Sequence, residues 1–196
     1  MITKKINDIF SEEEISSFNN MFNQISNDAT DELFDFSISE ELGRVNFTVH
    51  NMQEDLLKKP IDIAKSSLDF DCVLASVTFV EYNSKYGNPN LPPHFDGDTT
   101  DLIINYQLSS NAEWDIGVGF DLFKIEDNSA LVFNPNESAH WRTIKTFKEG
   151  DFVRMIFFRF TNSNRLTDYS HLSDEWPMDD FFIDLRNFRD SFTQWS

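Results

Sequence analysis

The sequence predicts a mainly β domain, an antiparallel sandwich or barrel of jelly-roll type, with helices flanking it at both ends. Between Asp71 and Thr161, short apolar or alternating runs follow one another, separated by turn residues such as Asp127-Asn128 and Glu149-Gly150. No helical stretch lies between those runs, which argues for antiparallel strands rather than a parallel sheet built on crossover helices. Apolar residues at helical spacing are confined to the two ends of the chain. The 196 residues, 21 of them Phe, suffice for one large domain with an aromatic core. Residues 1–70 are read as a helical and strand support, 71–161 as the jelly-roll core, and 162–196 as a C-terminal helical extension.

Ser11-Glu12-Glu13-Glu14 reads as a capping box, with Phe10 and Ile15 as the two ends of a hydrophobic staple. Ile15, Phe18, Phe22 and Ile25 then recur at helical spacing, so one face of this first helix packs on the domain. Val45, Phe47 and Val49 alternate with Asn46, Thr48 and His50, as in a strand. His50 reads as a polar residue near a turn. Asn51 to Ser67 reads as helical, with Pro60 either interrupting it or starting a second piece. Strands are expected at Cys72–Tyr82, Asp101–Leu108, Phe120–Glu126, Ala130–Phe133, Arg142–Phe147 and Phe152–Thr161, with a Gly- and Pro-containing loop from Asn83 to Pro93. After Pro177, the spacing of Phe181, Leu185, Phe188, Phe192 and Trp195 predicts a terminal helix. Its stripe either docks on its own domain or makes a homodimer contact.

Sixteen Lys and Arg stand against 34 Asp and Glu, a formal net charge of −18. That field repels phosphate backbones and excludes tight nucleic-acid binding as a main role. The single Cys72 excludes an intramolecular disulfide framework and fits a reducing cytoplasm. No apolar signal-peptide core follows Met1 to Ile6, and no run approaches a membrane span, so a soluble cytoplasmic protein is expected.

The chemistry centres on Pro92-Pro93-His94-Phe95-Asp96-Gly97-Asp98. At a strand end, the period of two sets His94 and Asp96 on one face. Two imidazoles and one carboxylate on one face of a metal, with the other positions open, form the site of the non-haem Fe(II) oxygenases. His140, between the strands at Ala130 and Arg142, supplies the second imidazole. Arg154 sits within the apolar run Phe152 to Phe158, where a guanidinium is costly unless an anion pairs with it. Alternation puts Arg154 with Ile156 and Phe158, and Arg159 on the opposite face, where a strand end or edge would solvate it.

The ordered set His94-x-Asp96, His140 and Arg154 resembles the 2-oxoglutarate- and Fe(II)-dependent dioxygenases, nearest to their prolyl-hydroxylase-like branch. Tyr82 ahead of the Gly87 loop, Gly119-Phe120-Asp121-Leu122 and Ser129-Ala130-Leu131-Val132-Phe133 are similar to that branch as well, and the likeness spans Cys72 to Phe160. The resemblance implies a double-stranded β-helix core. It implies Fe(II) held by His94, Asp96 and His140, and 2-oxoglutarate chelated there with its far carboxylate on Arg154, helped by a hydroxyl of Tyr82 or Tyr106. It also implies that O2 is used to hydroxylate a C–H bond, with release of succinate and CO2.

Arg142 is open to three readings: pairing the cosubstrate in place of Arg154, binding an anionic substrate, or capping a surface acid. Asn105 and Gln107 face substrate or a wet sheet surface. Asp98, Asp101 and His171 are read as solvated, and Trp114 with the loop from Ser109 to Gly119 as part of a lid. Two other functions fit the pattern: a cupin-like metal enzyme that does not use 2-oxoglutarate, and a jelly-roll binding module. The acidic surface suggests a cationic or neutral substrate, either a small molecule or a peptide or protein side chain.

Overall fold

The computed structural model describes residues 3–27, 34–96, 100–163 and 179–191. Among these, ten strands form two antiparallel sheets and three α-helices flank them. The strands are β1 (Thr3–Asn7), β2 (Phe34–Ser39), β3 (Arg44–Val49), β4 (Cys72–Asn83), β5 (Leu102–Ser110), β6 (Ile116–Val118), β7 (Asp121–Phe123), β8 (Ser129–Phe133), β9 (His140–Arg142) and β10 (Phe152–Asn162). The helices are α1 (Glu12–Asn27), α2 (Glu54–Ser67) and α3 (Asp179–Asp190).

The larger sheet runs β1-β8-β5-β10-β4-β3-β2 and the smaller β7-β6-β9. A single bridge between His94 and His140 extends the smaller sheet by one more segment. The central strands thus form a double-stranded β-helix of eight segments, with four in each wall. The expected antiparallel jelly roll is present, and β1, β2 and β3 widen its larger wall.

Alternation along the larger sheet separates two cores. Phe18, Phe22, Phe47, Phe79, Tyr106, Ile156 and Phe158 fill the face covered by the helices. Val80, Tyr82, Ile103, Trp114, Leu131, Phe133, Met155 and Phe157 fill the space between the two sheets. Phe18 and Phe22 of α1 are at most 1% exposed, and burial of each contributes roughly 1.5–3 kcal/mol. The capping box forms as expected: the Glu14 amide donates to Ser11 Oγ at 3.3 Å, and Glu14 Oε2 accepts from the Ser11 amide at 2.7 Å. Pro60 lies inside one continuous α2, on its buried face, rather than starting a second helix.

The described part of α3 docks on its own domain: Leu185 is fully buried with Ala139 and Trp141, and Phe188 packs at their edge. Pro177, Phe192 and Trp195 lie outside the described residues, as does the Phe181 side chain. One glycine is required by this packing. A Cβ at Gly117 would sit 1.9 Å from Trp141 Cε2, because the indole crosses the neighbouring strand directly over that position.

Candidate active site

His94, Asp96 and His140 converge. One ligand atom from each lies within 4.8 Å of the others. Reciprocal backbone bonds hold the two histidines opposite each other, from the His94 amide to the His140 carbonyl at 3.1 Å and back at 2.9 Å. Asp96 follows on the same side, its amide donating to the Pro135 carbonyl at 3.2 Å. The period of two therefore operates as expected, although only His94 is paired as in a strand. His140 opens β9 rather than preceding the strand.

The donor set fits a metal. The Nδ1–H of His94 donates to the Pro92 carbonyl at 2.8 Å, which leaves Nε2 with a free lone pair aimed at Asp96. Nε2 of His94 and of His140 lie 3.6 and 3.3 Å from Asp96 Oδ1. Ligands at about 2.1 Å on neighbouring positions of one metal stand about 3 Å apart, close to this spacing. The other carboxylate oxygen, Oδ2, is buried with no hydrogen-bond partner, a costly state that a cation relieves.

Burial, then the neighbouring His140, pushes the His94 pKa down to about 4, so its imidazole is neutral near pH 7, as a ligand must be. For Asp96, burial favours the acid form, but the hydrogen bond and charge of His140, then Arg159 and His94, outweigh it and hold the pKa below the ordinary carboxylate value.

No family model matches the sequence, and no similar curated protein was found. The structure does have relatives. The non-haem alpha-ketoglutarate-dependent epimerase SnoN from nogalamycin biosynthesis superposes with a TM-score of 0.65 at 8% identity, over 82% of this chain and 76% of that one. The viral collagen prolyl hydroxylase of Paramecium bursaria Chlorella virus-1 superposes with a TM-score of 0.55 at 12% identity, over 82% and 96%. HygX from Streptomyces hygroscopicus, solved with nickel and 2-oxoglutarate, gives 0.58 at 9% identity over 83% of each chain. The chain has the fold of the 2-oxoglutarate-dependent oxygenases. The bridge between His94 and His140 sets the cluster at the β9 side of the smaller sheet, and the contact of His140 with Phe133 turns it toward the space between the two sheets.

Arg142 occupies that space. It is 1% exposed, two residues beyond His140 on the same face of β9. Its hydrogen-bond and ring partners are neutral: Nη1 donates to the Trp114 carbonyl, Nη2 lies 2.7 Å from Met155 Sδ, and the guanidinium stands 5.0 Å from the Trp114 ring centroid, while the Asp115 carboxylate acts on it at longer range. Burial lowers its pKa to about 10, so it remains a cation at neutral pH. A guanidinium so buried, with no carboxylate at hydrogen-bond distance among the described residues, can still pair with an anion. The acid that Arg142 acts on is the half-buried Asp115, at longer range than a salt bridge.

Tyr82 lies in the same interior, 1% exposed, with its ring edge-on to Trp114 at 4.8 Å. Its hydroxyl accepts from Nη1 of Arg44 at 2.9 Å, which leaves its own proton available to donate. Arg44 is a residue that sequence reasoning missed. Its signal was the alternation of β3, where Arg44, Asn46 and Thr48 form a polar row that reads as a solvated face but is turned toward the site.

Several expected residues lie elsewhere. Arg154 shares a face with Ile156 and Phe158 as expected, but that face is the helix-covered one. There Nε donates to Glu81 Oε2 at 2.9 Å and the guanidinium stands over Phe22 and Phe152. The anion that its burial demanded is Glu81. Tyr106 also faces α1, between Phe10 and Phe18, with its hydroxyl donating to Asn128 Oδ1 at 3.3 Å. Neither reaches the metal cluster.

Trp114 is no lid: it is 2% exposed and donates from Nε1 to the Thr143 carbonyl at 2.7 Å. Asp101 is buried rather than solvated, accepting from the Asn162 amide at 2.7 Å. Asn105 faces the interior with Oδ1 buried and unpaired, whereas Gln107 is tied to the Ile125 carbonyl and Asp127. His50 lies 3.2 Å from Asp35 near the end of β3. Asp98 and His171 lie outside the described residues. No helix among the described residues is long and apolar enough to cross a membrane.

Proposed function

We propose that this chain is an Fe(II)- and 2-oxoglutarate-dependent oxygenase that uses O2 to hydroxylate a C–H bond of its substrate, with release of succinate and CO2. One observation carries the reading: a three-ligand cluster with an orphaned buried carboxylate oxygen lies on the same face of β9 as a fully buried guanidinium, two residues on, whose hydrogen-bond partners are neutral. The ligands call for a cation and the guanidinium for an anion. A dicarboxylate that chelates the metal at one end and reaches into the barrel at the other satisfies both. The fold relatives support the same pair of ligands, since HygX was solved with nickel and 2-oxoglutarate and SnoN with Fe3+ and alpha ketoglutarate.

In this reading His94, Asp96 and His140 hold the iron, which supplies oxygen activation when bound. Pro92, through its carbonyl, fixes the tautomer and ring plane of His94. Arg142, rather than Arg154, takes the far carboxylate of 2-oxoglutarate, with the Tyr82 hydroxyl as a second donor and Arg44 orienting that hydroxyl. Trp114, Leu131, Phe133 and Met155 keep the cavity dry, which strengthens each of these contacts. A cupin-like enzyme without a cosubstrate would have no use for the Arg142 charge.

The test uses anaerobically purified protein loaded with Fe(II) and 2-oxoglutarate, with succinate measured after oxygen is admitted. The wild type is expected to form succinate, and His94→Ala to form none above background. Equal succinate from the two would overturn the reading.

A further inference from the structure

A second guanidinium without a salt bridge among the described residues stands level with the metal ligands. Strand register sets Ser76, Arg159, Ile103 and Phe133 side by side across β4, β10, β5 and β8. The row lies on the inner face, and the Phe133 ring centroid is 5.1 Å from that of His140. Arg159 Nη1 donates to Thr78 Oγ1 at 3.1 Å, and the guanidinium stands 5.4 Å from the Phe157 ring centroid. Both partners are neutral. Among the described residues, Arg154 is the arginine that has a carboxylate partner, and it faces the other way.

Charge balance separates Arg159 from the cosubstrate. A divalent metal, one carboxylate ligand and a dianionic 2-oxoglutarate sum to a single negative charge, which Arg142 and Arg44, less the Asp115 charge beside Arg142, already neutralise. Arg44 and Tyr82 lie level with Val153, whereas Arg159 lies three inner-face positions further along β10, where its charge acts on Asp96. Among the described residues, an acid whose charge Arg159 offsets is Asp96, and a bound metal would take over that role. A cation so placed, inside a chain of net charge −18, is a local attraction for an anion against a repulsive exterior. The exterior favours a small anion over an acidic peptide, which would have to lie along the negative surface.

We propose that Arg159 binds an oxyanion of the substrate, a carboxylate or a phosphate, and that the substrate is a small anionic molecule rather than the cationic or neutral one that composition suggests. The hydroxyl row beside it suits a polar substrate: Thr78 and Thr48 lie 3.5 Å apart across β4 and β3, and Asn46 donates to Ser37. This inference rests on the oxygenase reading and names the substrate class for it.

The test is calorimetric binding to protein saturated with Ni(II) and 2-oxoglutarate, so that the Arg142 site is filled. The probes are phenyl phosphate, phenylacetate and the neutral phenylacetamide. At least one anionic probe is expected to bind about tenfold or more tightly than the amide, and the better of the two names the oxyanion. Arg159→Gln abolishes that preference while 2-oxoglutarate affinity stays within about twofold, and Arg159→Lys retains part of it.

Three results overturn the proposal: equal binding of anionic and neutral probes by the wild type, a preference that survives in Arg159→Gln, or a large loss of 2-oxoglutarate affinity in that variant, which would give Arg159 to the cosubstrate. A wild-type protein that takes up neither Ni(II) nor 2-oxoglutarate defeats the oxygenase reading itself, and this inference with it.

Discussion

Arg189 of α3 donates from Nε to the backbone carbonyl of Arg142 at 2.8 Å, and its Nη2 reaches Asn90 Oδ1. The C-terminal helix therefore holds the strand that carries both a metal ligand and the buried cation beneath it. The Asn90 side chain ties in the segment leading to His94. Arg189→Ala removes a buried charged donor and leaves the Arg142 carbonyl without this partner. The expected cost is about 1.5–3 kcal/mol of stability, read by denaturant unfolding. A several-fold rise in the 2-oxoglutarate dissociation constant should accompany it. Arg189→Lys should recover part of the stability but less of the affinity, because a single ammonium does not reproduce the fork.

Arg142→Met separates function from stability. With no anion bound, the native protein bears the desolvation of a buried guanidinium whose hydrogen-bond partners are neutral and whose nearby acid, Asp115, acts only at longer range. An apolar replacement of similar length is therefore expected to be neutral or stabilising, by up to roughly 1–4 kcal/mol. The same substitution should raise the 2-oxoglutarate dissociation constant by about a hundredfold, since a charge-assisted pair is lost from a dry cavity. Thermal unfolding without ligand and calorimetry with it read the two halves. A destabilised variant with unchanged affinity would remove Arg142 from the cosubstrate site.

Arg154→Met should do the reverse. It strands Glu81, which is 4% exposed and, among the described residues, keeps Lys85 at 3.2 Å and the Asn83 side-chain amide as polar side-chain partners. A loss of about 1–3 kcal/mol is expected, with 2-oxoglutarate affinity unaltered. Measuring both arginine variants under one set of conditions discriminates the two assignments that the sequence left open.

Those assignments show where sequence reasoning held and where it stopped. His94, Asp96 and His140 were legible because a two-residue spacing and one distal histidine in a run of strands need no knowledge of how the sheets stack. The long strands of the larger sheet were legible from alternation, apart from their ends, whereas the three-residue β6 was read as loop and the strand expected at Arg142–Phe147 is β9, ending at Arg142. Which face of β10 turns inward was not. Arg154 and Arg159 alternate equally well, and the choice depends on α1 burying Phe18 and Phe22 against the Ile156 and Phe158 side. Tyr106 was lost to the same ambiguity. β1, only five residues long with three lysine or asparagine positions, carries too little apolar pattern to be seen, yet it pairs with β8 along its whole length. Arg44 was hidden because a polar row on a strand usually means solvent, and here it means the cavity.

Gly117→Ala tests the packing behind β9. The added methyl would meet the Trp141 ring at 1.9 Å, and that ring is fixed by its Nε1–H bond to the Gly119 carbonyl and by Leu185 and Phe188 of α3. The indole has to move, so the expected loss is about 1–3 kcal/mol, with a change in tryptophan emission. Because Trp141 lies between His140 and Arg142, metal affinity should fall too, by less than on removal of a ligand.

Metal binding itself should appear as stability. His94, Asp96 and His140 are already gathered in the fold but scattered in the unfolded chain, so a divalent ion binds the native state preferentially. At an ion concentration a hundred times the dissociation constant the gain is about 2.7 kcal/mol. For a chain of this size, that corresponds to a rise in melting temperature of roughly 5–10 °C. Ni(II) serves as the probe because it is stable in air. His140→Ala and Asp96→Ala should each abolish the rise. Asp96→Ala also removes the orphaned buried carboxylate oxygen, so the metal-free variant should melt no lower than the metal-free wild type. Arg154→Met, on the far face of the sheet, should start from a lower melting temperature and still gain the full increment. A rise that persists in His140→Ala would place the ion elsewhere.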